Sequence, residues 1–235
     1  DRGCEGAIAA AGCLFALAAA LLQRLHIPRP TPQHETSHEG ARSLAALARE
    51  PLFLLAIAAG VIGQGVMTFI MTATPVSMHV VDGHSLAATA AVIRAHVLAM
   101  YLPSLASGLL ISQFGERALI AMGVAAYLIA LSIGLSGQAV MHYGIALVLL
   151  GMGWNFMFVG GTTLLVKTYR PSERFLAQGV NEAAVFGTSA LGSLLAGTLL
   201  TSIGWSAVVL STLPMILAIG LAVWLLRRRP FPVLT

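Results

Sequence analysis

Three side chains able to carry charge or move a proton lie inside long apolar runs: Arg94, His96 and Glu182. An ionised group in lipid costs about 2.5–3.5 kcal/mol to insert, so such groups usually serve a purpose. Arg94 follows Ser85 by nine residues and Glu182 follows Glu173 by nine. On a helix that is about 13 Å from the end, close to the middle of a bilayer. There Arg94 can attract an anionic group or snorkel back to the headgroups. Glu182 or His96 can bind and release a proton, unless Glu182 is simply paired at a helix contact.

Helical phase sorts their neighbours. Arg94 and His96 are two apart and point to opposite faces, with Tyr101 on the Arg94 side and Pro103 and Ser107 on the His96 side. Gln178, Glu182, Ser189 and Ser193 form one polar stripe, with Asn181 and Thr188 beside it. A polar stripe in lipid must face protein or water. Asn155 shares a face with Thr162, and Trp154 lies too deep for the interfacial belt, as a stacking wall for a flat ligand or as packing. Gln64 stands among Gly60, Gly63 and Gly65, where it can face a cavity while the glycines admit a neighbouring helix.

The elements that hold these residues follow from composition. The chain has 235 residues, 57% apolar and 9% charged, with a mean hydropathy of +0.87. A soluble domain carries about 25% charged residues; this chain lacks enough for a wetted surface. Its excess of Lys and Arg, 13 against 9 acids, is scattered between apolar runs and excludes a nucleic-acid surface. Seven runs are long enough for spans: Gly6–Leu22, Pro51–His79, Ser85–Ser112, Ala118–Ser136, Ala139–Lys167, Glu173–Ser202 and Gly204–Leu226. Period-2 alternation is absent, so the spans are helices. Pro75, Pro103 and Pro214 should kink theirs. The fold class is therefore an all-α integral membrane protein with seven transmembrane helices.

Eleven basic residues fall on one side of the zigzag and only Arg2 on the other. This places the N-terminus outside and the C-terminus in the cytoplasm. Residues 1–22 form one span, 23–50 a mobile cytoplasmic linker, 51–229 a six-helix bundle and 230–235 a tail. The first run lacks a basic n-region and is read as a span rather than a signal peptide. The absence of an initiator Met suggests that the chain starts partway through a longer protein. His34-Glu-Thr-Ser-His38 spells H-E-x-x-H, but in a Pro-rich polar linker it lacks the helix that zinc ligation needs, so no metal is expected. Cys4 and Cys13 are too far apart on one helix to bond.

The segment Gly108-Leu-Leu-Ile-Ser-Gln-Phe-Gly-Glu-Arg117 resembles the loop motif G-x-x-x-D-R-x-G-R-R of the major facilitator superfamily, matching at Gly108, Gly115 and Arg117. Ser112, Gln113 and Glu116 depart from it. His96–Ser104, Gly153–Leu165 and Gln178–Glu182 resemble one bacterial branch of that family. The resemblance implies helices six to twelve of a twelve-helix carrier in a bacterial inner membrane, with the N-terminal half missing. It implies that the second, third, fifth and sixth runs line or flank a cavity while the fourth and seventh face lipid. The expected function is secondary transport of a small organic solute by alternating access, with no enzyme activity and no cofactor. Gln64, Arg94, His96, Tyr101, Trp154, Asn155, Gln178, Asn181 and Glu182 are its candidate cavity residues. Glu182 and His96 are its candidate proton couplers. No phosphate-binding loop of the type G-x-x-x-x-G-K-[ST] occurs, which excludes an ATP-driven pump within the chain. The alternatives from other classes are a seven-helix receptor or sensor and an intramembrane metalloprotease.

Overall fold

The computed structural model describes residues 2–24 and 41–231, with side chains from residue 12 onward in the first segment. His34, His38 and Gly40 lie outside the described residues. The chain divides into two units, Asp1–Gly40 and Ala41–Thr235. Every regular element described is helical. The first unit contributes α1 (Arg2–Arg24), on which Cys13 is exposed with a free thiol.

The second unit opens with a short α2 (Leu44–Leu47), whose first turn is capped by the Ser43 hydroxyl accepting from the Ala46 amide. Leu47 is fully buried. The segment 41–50, assigned to the linker from sequence, thus packs within this unit. Helix α3 (Pro51–Val76) starts on Pro51, where a missing N–H costs nothing. Near its far end Pro75 removes a donor, and the helix widens into a π turn at Ser77–Val81. The third apolar run is broken into α4 (Leu86–Tyr101) and α5 (Ser104–Phe114), bent by 41° across Leu102-Pro103. The kink expected at Pro103 is therefore a full break. Next come α6 (Glu116–Ser136), α7 (Val140–Val166) and α8 (Arg174–Leu226), the last interrupted at Gly204.

Gly115 and Gly204 share one backbone state, φ/ψ of 81°/166° and 80°/173°, which side-chain-bearing residues rarely adopt. Each turns the chain between helical rods. Contacts show the directions of α3, α6, α7 and both arms of α8. Gly123 meets Gly153, and Gly160 meets Glu116, so α6 and α7 are antiparallel. Gly161 meets Ala56, while Gln64 meets Trp154, so α3 is antiparallel to α7. Gly60 meets Val185 and Phe69 meets Gly192, so the first arm of α8 runs parallel to α3. The Trp205 indole donates to the Gly134 carbonyl at 2.8 Å, and Gly220 packs on Val124. The second arm is therefore antiparallel to α6, and α8 reverses at Gly204.

Among the described residues, four helices are long and apolar enough to cross a membrane, five when the bent pair α4–α5 counts as one span. That count treats α8 as a single element. Between helices in lipid the apolar driving force is weak, and close packing and hydrogen bonds hold the contacts instead. The Tyr127 hydroxyl supplies one such bond, donating to the Gly63 carbonyl at 2.6 Å from a fully buried site.

Candidate functional site

A connected set of polar and aromatic groups crosses four rods. The Trp154 indole on α7 donates to the Gln64 side-chain oxygen on α3 at 2.6 Å. The Gln64 amide donates to Thr68 at 3.2 Å, and Thr68 lies 3.0 Å from the Ser189 hydroxyl on α8. Phe158 stacks on Trp154 with centroids 5.2 Å apart and planes at 17°. Tyr101 on α4 meets Trp154 edge-on at 6.1 Å. Trp154 itself is buried, whereas Tyr101 is 61% exposed and presents an open aromatic surface.

Both flanks of this line carry charge. Arg94 sits two turns before Tyr101 on the same face of α4, exposed, with no ion pair among the described residues. Gln178 and Glu182 share the face of Ser189 on α8. Glu182 is exposed and accepts from the Asn181 amide at 3.3 Å, while Gln178 donates to the Tyr169 hydroxyl at 2.8 Å. Asn181 turns inward beside Gly60 and is buried.

Two of the candidate residues lie elsewhere. His96 is fully buried between α4 and α7, where its Nδ1 donates to the Leu147 carbonyl at 2.7 Å. Its Nε2 has no partner among the described residues. Gly151 makes room for it: a Cβ there would lie 2.8 Å from the His96 carbonyl oxygen. Asn155 is buried against the α4–α5 break. Its amide donates to the Met100 carbonyl at 2.8 Å and to Ser104 at 2.6 Å, and its oxygen accepts from Ser107 at 3.1 Å. Asn155 therefore satisfies the Met100 carbonyl at the break and ties to it two hydroxyls of α5.

The loop motif has a structural role at the end where α6 begins. Gly115 makes the turn, and Arg117 donates to the Leu226 and Arg227 carbonyls at 2.9 and 3.0 Å, capping the end of α8. Gly108 has open space around it. Two ion pairs at this end escape a sequence reading. Buried Glu116 pairs with Lys167 across the α6–α7 contact. Glu173, 1% exposed, takes two bonds from the Arg42 guanidinium at 2.8 and 2.7 Å and one each from the Arg42 and Arg170 amides. Hydrogen bonding to Glu173 raises the Arg42 pKa above its ordinary value. Arg42→Ala strands a buried carboxylate and should lower unfolding stability by about 1.5–3 kcal/mol, measured by thermal or denaturant unfolding. A double-mutant cycle with Glu173→Gln should recover most of that as coupling.

The model of the Major Facilitator Superfamily matches residues 83–234. Over 230 residues the chain is 39% identical to the riboflavin transporter RfnT of Brucella anthropi, covering 98% of this chain and 57% of that protein. It is 36% identical over 179 residues to the uncharacterized MFS-type transporter YddS of Bacillus subtilis, covering 72% and 39%. It is 31% identical over 168 residues to the tetracenomycin C resistance and export protein of Streptomyces glaucescens, covering 70% and 31%. The chain spans 57% or less of the length of these relatives. It belongs to the major facilitator superfamily and is a multi-pass membrane protein of the transporter type.

Proposed function

We propose that this chain forms seven spans of a twelve-helix secondary carrier, with α1 and both arms of α8 counted among them. It moves a flat, uncharged heteroaromatic solute of the flavin class by alternating access, without enzyme activity. The observation that carries this reading is the line from Tyr101 through Trp154, Gln64 and Thr68 to Ser189, an aromatic surface with amide and hydroxyl groups beside it. A fused ring can stack on Tyr101 while its carbonyl and N–H edges exchange hydrogen bonds with Gln64 and Ser189. The riboflavin relative, similar along nearly the whole chain, favours that solute class. The preceding half of the carrier supplies the facing wall.

The test uses the complete carrier in cells that require external riboflavin. Tyr101→Ala and Gln64→Leu should each raise the KM for riboflavin about tenfold, equivalent to about 1.4 kcal/mol, with the protein level in the membrane unchanged. No riboflavin accumulation above cells lacking the carrier removes the flavin assignment.

The basic-residue asymmetry favours a cytoplasmic Gly115 end. Single cysteines at exposed Gln113 and exposed Val81 should label from opposite sides, Gln113→Cys only after the membrane is opened. Labelling of both from one side overturns the span order.

A further inference from the structure

Where α6 begins and the second arm of α8 ends, a groove of about 600 Å³ opens beside the bundle. Its lining combines Phe114, Arg117, Trp224, Arg228, Arg229 and Phe231. Phe114, Trp224 and Phe231 are 62%, 56% and 42% exposed, an unusual amount of aromatic surface beside so much positive charge. We propose that this groove is a binding site for an anionic phospholipid, holding the headgroup phosphate on Arg228 and Arg229 and the glycerol and upper acyl chains on the aromatic rings. The inference does not depend on the solute assignment.

The charges in the groove have unequal commitments. Arg117 Nη1 is bound to two helix-end carbonyls, and its guanidinium lies 4.7 Å from the Phe231 ring centre. Its Nε has no hydrogen-bond partner among the described residues. Arg227 lies 5.2 Å over the Trp224 ring. Glu116 also lines the groove, but it is buried and its charge is matched by Lys167. Arg228 and Arg229 are exposed and form no ion pair among the described residues. The groove therefore carries net positive charge facing outward, and a phosphodiester complements it.

The apolar half of the lining selects the source of that phosphate. A free anion gains nothing from three exposed rings, whereas a lipid buries them and delivers its headgroup at the depth where arginines near a helix end reach. A basic residue beside an anionic lipid contributes about 1 kcal/mol, about fivefold in binding. Arg228 and Arg229 together should thus give a preference of tenfold or more over a zwitterionic lipid.

Trp224 is the built-in probe, because Trp154 and Trp205 are 8% and 4% exposed. The complete carrier is reconstituted in phosphatidylcholine vesicles doped with acyl-brominated phosphatidylglycerol or acyl-brominated phosphatidylcholine. The Trp224 signal is isolated as the difference from Trp224→Phe. Phosphatidylglycerol should quench it at about tenfold lower mole fraction, and Arg228→Gln with Arg229→Gln should erase the preference while leaving phosphatidylcholine quenching intact. Arg228→Lys with Arg229→Lys should retain most of it. Equal quenching by the two lipids in the unaltered carrier overturns the proposal, as does a preference that survives both Gln substitutions. A preference abolished by inorganic phosphate at constant ionic strength assigns the groove to a free anion and also overturns it. Should the Gln variant fail to fold, the comparison of lipids on the unaltered carrier decides alone.

Discussion

Gly123→Leu should cost the protein its fold. A Cβ at Gly123 would stand 2.7 Å from the Gly153 carbonyl oxygen and 2.5 Å from the Met157 side chain. The first of these is backbone and cannot turn aside. Gly153 is equally tight, with a Cβ there 2.5 Å from the Tyr127 ring, and at Gly160 it would lie 3.0 Å from the Glu116 carbonyl oxygen. Three glycines thus bring α6 and α7 to near-backbone contact where Glu116–Tyr127 crosses Gly153–Gly160. Since lipid competes for apolar surface, that closeness is the main attraction between the two helices. Prising them apart also disturbs the Tyr127 bond to Gly63 and the Glu116–Lys167 pair. The expected loss is about 3 kcal/mol or more, at the upper end for overpacking. The measurement is the yield of monodisperse carrier after extraction in mild detergent, with its unfolding temperature. Gly220→Ala is the graded comparison: its Cβ would meet only the Val124 side chain at 3.2 Å, and it should cost far less. If Gly123→Leu extracts and unfolds like the unaltered protein, close packing of α6 on α7 is not what holds the bundle.

The same contact shows where sequence reading reaches its limit. The turns were legible as the gaps between the runs ending at Ser112 and Ser202 and those starting at Ala118 and Gly204, and a glycine free to adopt positive φ is what each reversal uses. The stripe on α8 was legible because Gln178, Glu182 and Ser189 share a helical phase, which is a local property. The opposite faces of Arg94 and His96 were legible for the same reason, and the structure leaves Arg94 exposed and buries His96. Roles that depend on a distant partner were not. Glu173 and Arg42 are 131 positions apart, and nothing in either neighbourhood announces the pair. Thr68 joins the polar line only because α8 brings Ser189 against it. Asn155 reads as a cavity residue from its depth, yet its hydrogen bonds go to Met100, Ser104 and Ser107 at the break its sequence neighbourhood does not contain. The break itself was half legible. Pro103 predicts a kink, but the partner that takes up the Met100 carbonyl at the break, Asn155, comes from across the interface.

Of the two candidate proton couplers, we propose Glu182. A coupling group must meet water from each side in turn as the cavity changes access. His96 is fully buried, with one nitrogen bound to the Leu147 carbonyl and the other enclosed without a partner, so reaching it requires α4 and α7 to part. Glu182 is exposed on the face of α8 that continues the Gln64–Thr68–Ser189 line, and its one hydrogen bond, from Asn181, is a long 3.3 Å. No cation among the described residues pairs with it, so protonation breaks no ion pair here. Glu182→Gln in the complete carrier preserves the side-chain shape and the contact with Asn181 while removing titration. Uphill uptake of riboflavin should fall to the level seen without a proton gradient, and exchange of labelled for unlabelled solute should persist at nearly the unaltered rate. His96→Gln should instead lower the amount of folded carrier and leave the pH profile of uptake in the same place. Gradient-driven uptake and pH dependence that survive Glu182→Gln, together with a pH profile displaced by His96→Gln, would transfer the coupling role to the buried imidazole.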